Sequence, residues 1–215
     1  MKREGMADAS HLSTTEHEHT STGLSHRKLL MWAFLGSDCM FFGALISTVM
    51  VYRGKSLTGP AEELLNIPVT SVSTFVLLMS SVAMVLGLAA IQRGDLKGLR
   101  IWLTATALLG SVFIGFQMFE FWEFAHEGLT PRTNLFGSTF LTLTGFHGAH
   151  VTIGIIWIWT IVFASFKGKV RQETSLDVEI AGLYWHFVDI VWIVIFGVIY
   201  LIGAQGAEGA AHATG

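Results

Sequence analysis

The sequence predicts an all-α, polytopic membrane protein: a bundle of five transmembrane helices. Three observations carry that prediction. The chain of 215 residues is 52% hydrophobic and only 13% charged, with a mean hydropathy of +0.56, a balance that suits lipid better than water. Five apolar runs follow one another between short polar connectors, each long enough for the roughly 20 residues that cross a bilayer core. None of the runs alternates in polarity, and each is about twice the length of a membrane strand, which excludes a barrel. Backbone groups in hydrocarbon must then bond within their own segment, so the spans are helices.

Residues 1–27 are polar and carry His11, His17, His19 and His26. They lack the ordered basic, apolar and cleavage regions of a signal peptide and read as a disordered tail. A histidine-rich tail can bind metal weakly, and a plainly solvated tail is the simpler reading. The membrane domain covers 28–203, with spans at about 29–52, 69–91, 99–124, 135–166 and 180–202. The first span contains Asp38 and Cys39; a single cysteine forms no disulfide within one chain and reads as a small buried apolar residue. Residues 53–68 form a loop with Gly59-Pro60, and Pro68 stands just before the second helix. The second span has only hydroxyls as polar side chains, and its Gly87 allows close helix packing. A tight basic turn at 92–98 leads into the third span, which turns polar at its end. Pro131 breaks the chain before the fourth span, a charged connector at 167–177 precedes the fifth, and the Gly/Ala-rich residues 204–215 read as a second disordered tail.

Basic residues set the orientation. Lys2, Arg3, Arg27, Lys28, Arg93, Lys97, Arg100, Lys167, Lys169 and Arg171 fall on the side of the N-terminus, against Arg53, Lys55 and Arg132 on the other. That distribution puts the N-terminus in the cytoplasm and the C-terminus outside. A net charge of −3 gives no reason to expect nucleic acid. No internal repeat is visible, which argues against an inverted-repeat transporter.

Ionisable groups inside the spans are the functional question, because charge at that depth faces protein, water or a polar ligand. Asp38 lies in span one; Gln117, Glu120 and Glu123 form a stripe on span three, with Glu127 beyond it. His147 and His150 share a helix face at i, i+3 on span four, and span five opens with Glu179 and then carries His186 and Asp189 at i, i+3. His186 could bond Asp189, and Glu120 could accept from a histidine of span four. Three readings stand at this point. A metal site is one, but di-iron bundles use Glu-x-x-His pairs, which the spans lack; haem ligation by opposed histidines belongs with it. A proton or ion pathway is the second. The third is a polar lattice that bonds helix to helix and to lipid headgroups. Seven tryptophans support the third, several near span ends where indoles anchor to the interface, with Trp157 and Trp159 deeper and packed on lipid or another helix. Lys167, Lys169 and Arg171 suit anionic headgroups, with ordinary positive-inside bias as the plain alternative.

Gly137-Ser138-Thr139-Phe140, then Thr144-Gly145-Phe146-His147-Gly148-Ala149-His150-Val151 with Gly154, resemble the signature of subunit III of haem–copper oxidases. So do Tyr184-Trp185-His186-Phe187-Val188-Asp189-Ile190-Val191-Trp192, preceded by Glu179, the pair Gln117-x-x-Glu120, and Ser37-Asp38 with Phe41-Phe42. The likeness covers about residues 28–203. Seven-helix members begin with a two-helix unit absent here, so the chain is similar to the five-helix bacterial form, quinol oxidases included. The family commonly has glutamate, reactive toward carbodiimides, where Asp38 stands one methylene shorter. The resemblance implies a non-catalytic subunit in the bacterial cytoplasmic (inner) membrane, with no metal of its own. Haem and copper belong to partner subunits I and II, which reduce oxygen to water and pump protons. It implies packing on subunit I, with subunit II and small accessory subunits nearby, phospholipid in a cleft between helices, and support of proton uptake. Asp38, Glu120, His147, His150, Glu179, His186 and Asp189 are then the interhelical and lipid-cleft positions, with headgroup contacts at Lys167, Lys169 and Arg171. A subunit III-like partner of a nitric oxide reductase and an independent proton-coupled transporter are the rival expectations.

Overall fold

The computed structural model describes residues 25–52, 67–132 and 134–201. The expected tails, up to residue 24 and from 204, and most of the 53–68 loop lie outside them. The described residues form five long helices, each apolar and long enough to cross a membrane: α1 (His26–Tyr52), α2 (Ile67–Gln92), α3 (Leu96–His126), α4 (Leu135–Phe166) and α5 (Ser175–Ile195). α5 runs on into a π-helical turn, Phe196–Leu201.

The helix ends follow local chemistry. Pro68 lies inside the first turn of α2, not before it as expected. Its missing N–H costs nothing there, because first-turn amides have no intrahelical acceptor. Between α2 and α3, Gly94 takes φ 79°, the left-handed conformation that glycine adopts without strain. Asp95 then caps α3, accepting from Lys97 N at 3.1 Å and Gly98 N at 2.9 Å. Asn134 caps α4 through Gly137 N at 2.6 Å. A short 3₁₀ turn, Gln172–Thr174, leads into α5, which begins five residues before the expected start of that span. Hydropathy alone cannot see this first turn, since Asp177 and Glu179 make it polar.

α5 is the hub. α1, α2 and α4 all pack on it, and α3 closes the far side against α2 and α4. In α5, 56% of the apolar window is buried, against 11% in α1, so α1 is the outlier of the bundle. It lies over α4 and α5, held by ion pairs Arg27–Asp177 and Lys28–Glu179 at one end. Further along, rings hold it: Phe41 on Phe146 at 5.2 Å and Phe42 on His150 at 5.1 Å. At the same end of the bundle Arg100 joins the start of α3 to the end of α4. Its Nε donates to Ser165 Oγ at 2.9 Å, its Nη2 to the Ser165 carbonyl at 2.7 Å, and its guanidinium covers Phe166. A cation there also meets the negative end of the α4 dipole.

Lipid tails are as apolar as leucine, so hydrophobic burial does little to drive these helices together. Close packing and interhelical hydrogen bonds must do it. Trp185 shows how: fully buried, it presses its six-membered ring against the backbones of Gly110 on α3 and Gly154 on α4. Its indole N–H donates to Ser80 Oγ on α2 at 3.0 Å. One side chain of α5 thus contacts three other helices.

Candidate functional site

Several of the intramembrane polar groups, Glu120, Glu179, His186 and Gln117 among them, form bonds between helices, and their pairing differs from the expected one in several places. Glu120 is buried on α3 and accepts from the Thr70 hydroxyl of α2, not from a histidine of α4. His186 and Asp189 do not bond each other: His186 Nδ1 is hydrogen-bonded to Ser81 Oγ of α2 at 2.6 Å. Asp189 is buried and faces the same Ser81 hydroxyl of α2. Glu179 takes the ammonium of Lys28 and so ties α5 to α1.

The two histidines of α4 part company. His147 is fully buried, stacked on Trp192 at 4.9 Å between centroids and met edge-on by Phe113 at 6.0 Å. Neither of its ring nitrogens has a hydrogen-bond partner among the described residues. His150 turns toward α1. Its Nδ1–H donates to the Phe146 carbonyl at 2.8 Å, and its Nε2 lies 3.5 Å from Asp38 Oδ2. With Nδ1–H committed to the carbonyl, an Nε2–Asp38 bond needs one further proton shared by the pair. Tyr184 donates to the His150 carbonyl at 3.0 Å and buttresses this corner from α5.

α2 supplies partners that the sequence reading passed over. Thr70, Thr74, Ser80 and Ser81 receive or meet Glu120, Trp192, Trp185 and His186 in turn. Thr70, Thr74 and Ser81 fall within about 40° of one another at 100° per residue, a face that could have been noticed. Gln117 donates from Nε2 to the Thr144 carbonyl at 2.7 Å, joining α3 to α4. Trp185 and Trp192 are core residues rather than interface anchors, whereas Trp32, Trp102 and Trp122 are exposed on the bundle surface. Cys39, expected to be buried, is exposed on α1, because α1 packs along so little of its length.

Two recesses flank α1. One, of about 420 Å³, is lined by Arg27, Trp157, Thr160, Lys169 and Thr174 among others and lies at the cationic end of the bundle. Lys169 thus reaches a pocket, while Lys167 and Arg171 stay on the exposed surface. The other, of about 500 Å³, is an apolar groove between α1 and α5. Among the described residues no group of three or more His, Cys, Asp or Glu converges on a point that could hold a metal ion.

These features define a class: a multi-pass membrane protein with polar side chains bonded between several of its helices. The comparisons with known proteins narrow it. The family described as Cytochrome c oxidase subunit III matches residues 5–204. The chain is 39% identical over 176 residues to cytochrome c oxidase subunit 3 of Bacillus sp. (strain PS3), covering 81% of this chain and 85% of that one. It is 40% identical over 176 residues to quinol oxidase subunit 3 of Bacillus subtilis (strain 168), 81% and 86% of the two chains. Cytochrome c oxidase subunit 3 of Alkalihalophilus pseudofirmus is 33% identical over 204 residues, 94% and 99% of the two. The chain belongs to the cytochrome c oxidase subunit III family. Subunit III of haem–copper oxidases is a non-redox subunit of an oxidase complex.

Proposed function

We propose that this chain steadies the oxygen-reducing subunit of a respiratory oxidase in the bacterial cytoplasmic membrane, and that it does so with bound phospholipid. Its N-terminus lies in the cytoplasm and its C-terminus outside. It packs on subunit I, with subunit II and small accessory subunits nearby; haem and copper stay in those partners. The electron donor is cytochrome c or quinol, as in the names of its two kinds of relative. Asp38, Glu120, His147, His150, Glu179, His186 and Asp189 hold the bundle open or closed around lipid rather than react. The chain thereby supports proton uptake and protects the complex during turnover.

The observation that carries this reading is the recess at the cationic end. It offers Arg27 and Lys169 as cations, Thr160 and Thr174 as hydroxyls, and Trp157, Ile161 and Ala164 as an apolar wall. A charged phosphate belongs beside the two cations, since both hydroxyls already donate to the Trp157 and Arg171 carbonyls, and the start of an acyl chain belongs beside the apolar wall. Arg27 is also paired with Asp177, so Lys169 is the freer cation.

The test uses two preparations of the oxidase, one intact and one stripped of this chain. Both should begin with near-equal electron-transfer rates. The stripped complex should then lose activity severalfold sooner with each turnover. Equal lifetimes would contradict the protective role, and a stripped complex with no initial activity would contradict the non-redox one.

A further inference from the structure

The apolar groove between α1 and α5 contains one polar side chain that the bundle only half uses. His186 gives Nδ1 to Ser81 of α2. That bond fixes the ring, and it fixes which nitrogen is left. Nε2 has no partner among the described residues, yet it is not among the sealed polar atoms, so it retains accessible surface. His186 lines the groove with Trp32, Phe42, Phe187, Ile190 and Val194, and the exposed lining is almost wholly apolar. The groove's other wall is built low. Cβ atoms added at Gly36 or Gly43 of α1 would meet nothing within 4 Å, so the chain's own packing does not require either glycine. Glycine inside a helix costs about 1 kcal/mol relative to alanine. What the two glycines provide is room along the groove.

Depth decides what kind of molecule this room suits. His186 is seven residues beyond Glu179, about 10 Å along the helix from the Lys28–Glu179 ion pair that marks the polar end. A phospholipid headgroup stays near that ion pair, because taking its charges 10 Å into hydrocarbon is expensive. An acyl chain reaches the depth but brings nothing that can bond an imidazole nitrogen. A small neutral ring carrying a carbonyl or hydroxyl, on an isoprenoid tail, satisfies both demands. The groove's volume of about 500 Å³ falls within the usual range for a small-molecule site. Trp32, exposed on α1, offers a flat surface for such a ring, and Phe42 and Phe187, themselves buried, also line the groove.

The geometry points to a binding site for an isoprenoid quinone or quinol in the α1–α5 groove, its ring oxygen hydrogen-bonded to Nε2 of His186. The site binds and positions the molecule; no electron transfer is assigned to it. It stands apart from the phospholipid recess on the other flank of α1 and does not depend on that recess being occupied.

The purified oxidase, with this chain in place, tests the proposal. The probe is a photoactivatable azidoquinone with a ten-carbon tail, and labelled peptides are read by mass spectrometry. Labels should fall on α1 and α5 and should be displaced by unlabelled quinone but not by the same excess of phosphatidylglycerol. His186→Leu should cut labelling about threefold to fivefold, the share expected of one hydrogen bond in the membrane. Gly43→Leu, which leaves the His186–Ser81 bond intact and meets open space, should abolish labelling while the chain stays in the complex. Within this chain, labels confined to segments other than α1 and α5, labelling indifferent to Gly43→Leu, or displacement by phospholipid as readily as by quinone would overturn the proposal. Copurification of the chain with the other oxidase subunits is scored in the same samples, so failure of the subunit reading would show separately.

Discussion

Trp185→Ala is expected to destabilise the bundle more than any other single truncation, by about 3 kcal/mol, measured as the shift in unfolding of the detergent-solubilised chain. The usual cost of removing a buried large aromatic is about 3–5 kcal/mol. The lower end applies because the unfolded helices remain in an apolar medium, which shrinks the transfer part and leaves the cavity part. That cavity would open where α2, α3, α4 and α5 meet. The variant would also take the indole donor from Ser80 Oγ, which keeps only its own bond to the Leu77 carbonyl. Trp122→Ala, on the exposed face of α3, should shift the same transition by far less. Equal shifts for the two would mean that the bundle is not organised around Trp185.

Gly110→Val should cost nearly as much, about 3 kcal/mol, the upper end of the usual range for overpacking. A Cβ at position 110 would lie 2.6 Å from Cη2 of Trp185 and 3.2 Å from Cγ1 of Ile155. The indole cannot retreat, because a Cβ at Gly154 would lie only 2.9 Å from two carbons of the same ring, and Ser80 holds its N–H. The backbones of α3 and α5 must therefore separate. Combining Gly110→Val with Trp185→Ala should cost clearly less than the sum of the two single changes, because the valine enters the space the indole leaves. Strict additivity would show that the glycine serves something other than the ring.

The number and type of elements were legible because they depend on quantities summed over some 20 residues. Apolar run length survives errors at individual positions, and the 135–166 span agrees with α4 to the residue. The polar pairing was much less legible, because a partner depends on how each helix is rotated about its axis. His147 and His150 share a spacing that suggests a common role. Yet His147 faces the aromatic core of α5 and α3, and His150 faces the carboxylate of α1. The α2 hydroxyls were hidden for a different reason. Most helical Ser and Thr in this chain bond their own carbonyls, as Ser47, Thr48, Ser71 and Ser111 do. Thr74 does both, donating to the Thr70 carbonyl while accepting from Trp192. Nothing in composition separates such a residue from its neighbours. The tryptophans misled through a general rule: indoles do favour the interface, but Trp185 and Trp192 have hydroxyl acceptors inside the bundle, which removes the cost of burying their N–H groups.

The central claim is that the buried imidazoles and carboxylates of this chain hold helices together and do not ligate a redox centre. Metal content of the chain, separated from its partner subunits and kept folded in detergent, tests it most directly. Elemental analysis together with an absorption spectrum should show no haem bands and iron and copper far below one atom per chain. About one iron or copper per chain, lost on replacing His147 or His150, would contradict the account.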